Sequence, residues 1–170
     1  MRRILSPLPR DFPVPLLIVQ HIIADFLDGM VRWLAEDTGL RLVIPSSGAP
    51  LEPGNAYFAP PNRHMGASGK SNILVSKGRP ERGLLPSVNY LFRSVGEAFG
   101  PAAMGMLLSG MGEDGAEGLL AMRRAGALTI AQDRESAVVY GMPGRAVELG
   151  AASSVCTPEE MIETLGKLAR

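Results

Sequence analysis

A glycine-rich segment, LSGMGEDGAEG, combines residue types that could do chemistry. Gly110, Gly112 and Gly115 have the G-x-G-x-x-G spacing of turns that bind a pyrophosphate through backbone N–H groups. Glu113 and Asp114 lie in the same turn, and two carboxylates would repel a phosphate placed there. The turn is therefore better suited to presenting an acidic side chain for catalysis.

Polar residues also follow the apolar runs that predict strands, namely Gln20 and His21, Ser109, and Gln132 and Asp133. The carboxyl ends of parallel strands meet at one edge of a sheet, where α/β proteins have their binding crevice. An imidazole exchanges protons near neutral pH, and a carboxylate that accepts its ring N–H orients it. The sequence predicts that His21 and Asp114 meet at this edge as a base and its orienting carboxylate.

More ordinary roles for these residues remain open at this point. A histidine after a strand is often a capping or surface residue, and Asp114 could simply be favoured by the dipole of the helix that follows it. A dinucleotide site is a further alternative. Asp133 follows Gly115 at about the 20-residue spacing of the acid that binds a ribose in such sites.

The hydrophobic pattern predicts the elements that must position these side chains. Apolar runs typical of buried strands alternate with segments of helical periodicity. The segments NAYFAPP and NILVSK predict an antiparallel hairpin around the loop NRHMGASGKS. Thr157, Pro158 and Glu160 form a capping box at the start of the last helix. The predicted strands span 14–20, 40–44, 104–109 and 127–133, and the predicted helices lie at 23–34, after Pro86, between the glycine turn and Gly126, and after Thr157.

The predicted fold class is therefore α/β, with a doubly wound, mostly parallel sheet, helices on both faces and an inserted antiparallel hairpin. The 170 residues, 46% of them hydrophobic, predict a single domain over 1–170. Seventeen basic and seventeen acidic residues cancel, which argues against a nucleic-acid partner. The apolar run Val14–Val19 is too short for membrane insertion, and the single Cys156 suits a reducing cytoplasm and predicts no metal site.

Five strings, taken together and in this order, resemble the catalytic domain of the chemotaxis protein-glutamate methylesterases, the CheB family. They are LLIVQHI, YFAPPNRHM, PSVNYLFRSV, LLSGMGEDGAEGL and AQDRESAVVYGMPGRA. The resemblance implies a cofactor-independent hydrolase with a Ser-His-Asp triad on a doubly wound sheet. It implies hydrolysis of γ-glutamyl methyl esters on the cytoplasmic helices of chemoreceptors, with deamidation of glutamines in several members. A separate phosphorylated regulator is a further partner compatible with it.

Carried over by motif, the resemblance assigns His21 and Asp114 to the triad. It assigns the backbone N–H groups at Met111 and Gly112 to the oxyanion site. Candidates for the substrate cleft are His64, Ser109, Gln132 and Asp133. Each also has a more ordinary interpretation: a structural histidine, a hydroxyl bonded within its turn, and side chains that satisfy backbone donors.

The sequence departs from the family pattern at the nucleophile. Family members carry the serine in a turn resembling G-A-S-T-G-G, well upstream of the histidine. Here twenty residues precede His21, and RRILSPLPRDFP resembles the end of the helix after that turn. We expect the first family strand, the nucleophile and a receiver domain to be missing, through truncation or a start placed too late. Ser6, Ser109 and Ser136 lack the strand-to-helix turn that presents a nucleophile. An inactive homologue that binds receptor or partner segments is the alternative.

Overall fold

The computed structural model describes residues 1–169. In chain order the elements are α1 (Arg2–Leu5), β1 (Leu16–Ile18), α2 (Ala24–Ala35), β2 (Arg41–Val43), β3 (Asn55–Phe58), β4 (His64–Ser68), β5 (Asn72–Ser76), α3 (Val88–Phe99), a 3₁₀ turn (Gly100–Ala102), β6 (Met104–Leu107), α4 (Ala116–Arg124), β7 (Leu128–Gln132), α5 (Met142–Glu148), β8 (Ser154–Cys156) and α6 (Pro158–Gly166). None of the helices in this part of the chain has the length and apolarity needed to cross a membrane.

The parallel strands form two sheets of three strands each, in the orders β1-β3-β2 and β6-β7-β8. Every pairing in both sheets is parallel, which confirms the α/β class. No ladder joins β1 to β6 within residues 1–169, so the parallel strands are divided between these two sheets. The expected absence of an internal strand from these residues would produce such a division.

The inserted antiparallel hairpin is confirmed, and its second strand β5 falls in the predicted segment NILVSK, but its first strand differs from the predicted one. The hairpin pairs β4 with β5, so β4 forms from residues that were predicted to be the loop. The segment Asn55–Phe58 instead becomes β3, the central strand of the first parallel sheet. All of its residues are buried, as expected of a strand covered on both faces. Apolar runs of this length do not reveal whether the neighbouring strand is parallel or antiparallel.

Helices cover both faces of the sheets, as predicted. Side chains alternate along β3, with Ala56 and Phe58 in one hydrophobic cluster and Tyr57 in the other. The first cluster packs against α1, α2 and α6 through Leu5, Leu27, Leu34, Met161 and Leu165. The second packs against α3, α4 and α5 through Leu91, Phe92, Leu119, Met122 and Ala146.

The capping box at the start of α6 is present with both of its hydrogen bonds, as the sequence predicts. The most consequential helix pair for the site is α3 with α4. Gly118 of α4 donates its N–H to Asn89 Oδ1 of α3 at 2.7 Å. A Cβ atom at Gly118 would lie 2.7 Å from both Cα and the carbonyl oxygen of Asn89, so the two backbones pack too closely for a side chain.

We therefore expect Gly118→Ala to destabilise the protein by about 1–3 kcal/mol, because α4 must move away from α3. Gly29→Ala is the matched control, since Gly29 is exposed in α2 and a Cβ there meets nothing within 4 Å. The control should raise stability by up to about 1 kcal/mol through helix propensity alone. Urea unfolding measures both. Equal responses of the two variants would contradict the close α3–α4 contact.

Candidate active site

Asp114 belongs to the turn before α4, and its side chain lies against the N-terminus of α3. Its carboxylate accepts hydrogen bonds from Val88 N–H (2.7 Å to Oδ2), Asn89 N–H (3.1 Å to Oδ1) and the Ser87 hydroxyl (3.0 Å to Oδ1). The side chain is 4% exposed. The first N–H groups of a helix lack partners within the helix and carry partial positive charge, so this end of α3 stabilises a carboxylate. These contacts hold the Asp114 carboxylate in one position.

The glycines that surround Asp114 shape the turn. Gly112 and Gly115 have φ values of +84° and +90°, a left-handed conformation that favours glycine. A Cβ atom at Gly115 would lie 2.6 Å from Leu107 Cδ1 and 2.7 Å from Val88 Cγ1. The chain must therefore lack a side chain at Gly115 to pass between β6 and the start of α3. The glycines allow the chain to pass through this narrow space, and the turn places the Asp114 carboxylate against the first N–H groups of α3.

His21 follows β1 and reaches Asp114 from the other sheet. Its Nε2 lies 2.9 Å from Asp114 Oδ2, and its side chain is 31% exposed. The prediction that the two side chains meet is confirmed. A carboxylate only accepts hydrogen bonds, so Nε2 carries the proton and Nδ1 holds the lone pair. Among residues 1–169 nothing hydrogen-bonds to Nδ1 of His21. The pair therefore has the geometry of a general base with its orienting acid.

The electrostatics of Asp114 result from opposing effects. Burial alone would raise the pKa of Asp114, because desolvation penalises the charged form. The hydrogen bonds from His21, from the N–H groups of Val88 and Asn89 and from the Ser87 hydroxyl outweigh burial and lower its pKa below the ordinary value. Asp114 is consequently a stable anion at neutral pH, able to stabilise a protonated imidazole at His21.

The predicted oxyanion donors lie in the turn between β6 and Asp114. The turn is anchored by hydrogen bonds from Gly110 N–H to Val139 O (3.0 Å) and from Gly141 N–H to Gly110 O (3.1 Å). The Met111 residue is 87% exposed. In the part of the chain that the structure describes, the N–H groups of Met111 and Gly112 donate to no backbone oxygen. Their role in binding an oxyanion remains a prediction.

His64 is buried and has the contacts of the structural alternative, and its place in a substrate cleft remains a prediction. The residue is 1% exposed and stacks on the Tyr90 ring, with centroids 4.5 Å apart. Its Nε2 lies 2.9 Å from Arg79 O, and its Nδ1 accepts the Ser87 N–H at 3.2 Å. The ring is buried because α3 packs over the hairpin at this point, so the structural interpretation of His64 is the one that the contacts support.

The remaining cleft candidates, Ser109, Gln132 and Asp133, form hydrogen bonds within and between the loops beside the glycine turn. Ser109 donates its N–H to Gln132 Oε1 at 2.8 Å, and its hydroxyl accepts the Val139 N–H at 2.9 Å. The Gln132 amide donates to Ser136 Oγ at 3.0 Å. Asp133 accepts the Ser136 N–H at 3.3 Å and so caps the turn that follows β7. These contacts satisfy polar groups, as their ordinary interpretation expects, and their contact with a substrate remains a prediction.

The serines considered as substitute nucleophiles have other partners. The Ser6 hydroxyl donates to Arg2 O at 3.0 Å within α1, and Ser136 Oγ accepts from Gln132. The Ser109 hydroxyl is bonded to the backbone of Val139. Across residues 1–169, none of the side-chain hydroxyls hydrogen-bonds to His21. These residues therefore position the base and its orienting carboxylate, and they place no nucleophile beside them.

Sequence reasoning missed Ser87, which contacts Asp114 directly. The signal was available, because serine before an amphipathic helix is a typical N-cap residue. It also missed a surface cleft of about 550 Å³ beside the glycine turn, lined in part by Gly112, Glu113, Arg134 and Tyr140. The Arg134 guanidinium lies over the Tyr140 ring, 4.4 Å from its centroid. Nothing in the local sequence joins these loops.

The fold and the site together define an α/β protein that holds a histidine–carboxylate pair where two parallel sheets end, as in triad hydrolases. The chain belongs to the CheB methylesterase family, whose profile matches residues 1–165. This confirms the resemblance seen in the motifs. It also favours the catalytic interpretation of the glycine turn over the dinucleotide one.

Relatives are similar over nearly the whole chain. A protein-glutamate methylesterase/protein-glutamine glutaminase of Syntrophus aciditrophicus is 48% identical over 169 residues, which cover 99% of this chain and 48% of the relative. A protein of the same name from Geobacter metallireducens is 47% identical, with 99% of this chain and 49% of the relative covered. The chain thus spans about half the length of these relatives.

A solved structure matches the fold closely. The CheB methylesterase catalytic domain of Thermotoga maritima superimposes with a TM-score of 0.92 at 29% sequence identity. The match covers 98% of this chain and 90% of that one.

The contacts of Asp114 predict an acid-dependent loss of stability. The pKa of Asp114 is lower in the folded state than in the unfolded chain, where it is about 3.9. Its contribution is therefore complete above the unfolded value and is lost as the pH falls through the lower, folded value. Asp114→Asn should show a smaller loss of unfolding free energy on acidification, measured by urea unfolding at a series of pH values. Parallel pH profiles for the two proteins would contradict this account.

Proposed function

We propose that this domain hydrolyses γ-glutamyl methyl esters in proteins, releases methanol, and deamidates glutamine side chains at the same site. The observation that supports the proposal most directly is the 2.9 Å contact between His21 Nε2 and an Asp114 carboxylate fixed on α3. The names of the Syntrophus and Geobacter relatives join both activities. One site suits both because ester and amide hydrolysis proceed through tetrahedral intermediates of the same kind and through a common acyl intermediate.

In the proposed mechanism His21 acts through Nδ1. This nitrogen takes the proton of an attacking hydroxyl while the hydroxyl oxygen bonds to the side-chain carbonyl carbon of the substrate. Asp114 stabilises the imidazolium that results, and the N–H groups of Met111 and Gly112 stabilise the oxyanion. The imidazolium then gives the proton to the methoxy or amino group as its bond to the carbonyl carbon breaks, which releases methanol or ammonia and leaves the acyl intermediate. Water repeats the sequence on the acyl intermediate, which frees the glutamate and restores the hydroxyl.

The attacking hydroxyl in this proposal is a serine outside the 170 residues. The motif resemblance supports this, since the family serine lies upstream of the histidine in a turn that these residues do not contain. The contacts support it as well, since within residues 1–169 His21 has its only side-chain hydrogen bond with Asp114. The serine would approach the partly exposed imidazole at Nδ1, which holds the lone pair.

The proposed substrate is a methylated cytoplasmic helix of a chemoreceptor, and the proposed location is the cytoplasm. Exposed apolar residues lie in the segments that carry the site, namely Ile22, Ile23, Phe26, Met111, Val138 and Val139. They follow the carboxyl ends of β1, β6 and β7, so they suit the apolar face of a helix. A separate phosphorylated regulator is a further proposed partner.

An inactive homologue that binds receptor or partner segments is the second candidate function. It is favoured by one observation, that no hydroxyl of residues 1–169 hydrogen-bonds to His21. The two candidates differ in whether a nucleophile added upstream produces turnover.

The test measures methanol release from methylated receptor membranes. It uses the chain as it stands and a version preceded by a strand and serine turn of the family type. We expect release from the extended version only. His21→Ala and Asp114→Asn should each lower its rate by about 10³-fold or more, because loss of a triad member leaves little catalysis.

Asp28→Asn is the matched control, because Asp28 is an exposed carboxylate on α2 and the hydrogen bond and ion pair of His21 are with Asp114. It should leave the rate unchanged. Release that survives His21→Ala would overturn the proposed mechanism. An extended version that binds receptor membranes without releasing methanol would favour the binding module.

A further inference from the structure

A second histidine, His64, contacts Ser87 at the start of α3, and both of its ring nitrogens are hydrogen-bonded. His64 Nε2 lies 2.9 Å from the carbonyl oxygen of Arg79, and Nδ1 lies 3.2 Å from the backbone nitrogen of Ser87. A carbonyl oxygen only accepts and a backbone N–H only donates. Nε2 therefore carries the proton, and Nδ1 accepts from Ser87. These two contacts define one neutral tautomer of a buried ring.

The ring has little freedom to turn. It stacks on Tyr90 with the ring planes 13° apart. A Cβ atom at Gly78 would lie 3.1 Å from His64 Cδ2, so the ring also occupies space that glycine leaves free. A ring held by stacking and by hydrogen bonds at both nitrogens directs its Nδ1 lone pair at a fixed point. That point is the first N–H group of the α3 N-terminus.

Ser87 is the N-cap residue of α3, and its polar groups are all bound. Its N–H donates to His64, and its hydroxyl accepts from Tyr90 N–H at 3.3 Å. The hydroxyl proton is shared between Asp114 Oδ1 at 3.0 Å and Glu81 Oε2 at 3.2 Å. Glu81 is also paired with Arg93.

The start of α3 therefore leaves no N–H group unpaired. A helix has four such groups at its N-terminus without partners inside the helix. Here Ser87 donates to His64, Val88 and Asn89 donate to Asp114, and Tyr90 donates to the Ser87 hydroxyl. Two of the four acceptor contacts come from Asp114, and the one that fixes the N-cap backbone comes from His64.

We infer that His64 is a positioning residue for the active-site carboxylate, acting through the Ser87 N–H that it accepts. The inference rests on the proposed function, because it assigns His64 to the support of Asp114 and His21. A single chain of hydrogen bonds runs from His64 through Ser87 and Asp114 to His21. It links the hairpin, α3, the glycine turn and the end of β1.

Ser87 is fully buried, and its N–H is therefore out of reach of water. Without an acceptor at the Nδ1 position, this donor would lose its hydrogen bond without gaining one to water. The N-cap would then have to move toward another acceptor, and Ser87 Oγ and Val88 N–H would move with it. Both groups hold the Asp114 carboxylate, so its alignment with His21 would be lost.

Two substitutions separate this role from a merely structural one. Asn places an oxygen near the position of the imidazole Nδ1, and Gln places an amide nitrogen near the position of Nε2. His64→Asn can therefore still accept the Ser87 N–H, whereas His64→Gln can still donate to Arg79. Both lose the stacking on Tyr90 equally, so each serves as the control for the other.

The first readout is the acid titration of the Val88 and Asn89 amide protons by NMR in the 170-residue chain. These protons report on Asp114, which they contact, and they require no catalytic turnover. We expect His64→Asn to keep the titration of the unaltered protein. In His64→Gln the midpoint should move upward, because Asp114 loses donors that stabilise its anion.

The second readout is methanol release by the version extended with the serine turn. His64→Gln should lower kcat by about 10- to 100-fold through misalignment of the base, with KM unchanged, and His64→Asn should retain most of the activity. Equal amide titrations in the two variants would overturn the role of His64 whatever the activity. If the amide titration midpoint shifts in His64→Gln and not in His64→Asn, but the extended version releases no methanol, the inference stands and the result counts against the proposed function.

Discussion

The N-terminus of α3 is the point on which the site depends. A helix start must find acceptors for its unpaired N–H groups, and here one carboxylate supplies two of them. The same carboxylate holds the imidazole of His21, so a requirement of helix stability and a requirement of the proposed proton transfer are met by one side chain. Burial would raise the pKa of Asp114, and the donors of α3 and His21 reverse this. Its negative charge is therefore a consequence of how the helix begins.

The geometry of the chain around this helix follows from that constraint. The glycine turn must pass between β6 and α3 without a side chain at Gly115. His21 must reach the same point from the end of β1, which belongs to the other parallel sheet. The contact between His21 and Asp114 thus joins the two sheets at their carboxyl ends, while the hydrophobic clusters on both faces set their separation. The alignment of His21 with Asp114 is therefore coupled to the packing of the two sheets.

Much of the fold and part of the site could be predicted from the sequence. The meeting of His21 and Asp114 follows from polar residues at strand ends, because parallel strands bring those ends together. The assignment of Asn55–Phe58 to the hairpin was wrong, since its apolar run fits either kind of sheet. Ser87 was missed, and the choice between two roles for His64 was left open, for a different reason. Their roles depend on contacts between distant segments, and a buried histidine with two bound nitrogens has the same local sequence as an exposed one.

The most direct measurement of the central claim is the protonation pattern of the His21 ring, read from its ¹⁵N shifts at a pH where the imidazole is neutral. The account predicts a proton on Nε2 and none on Nδ1, because Nε2 faces Asp114 Oδ2 at 2.9 Å. It also predicts that the Nε2 proton resonates far downfield and shifts upfield in Asp114→Asn. A proton on Nδ1, or an Nε2 signal that Asp114→Asn leaves unchanged, would contradict the account.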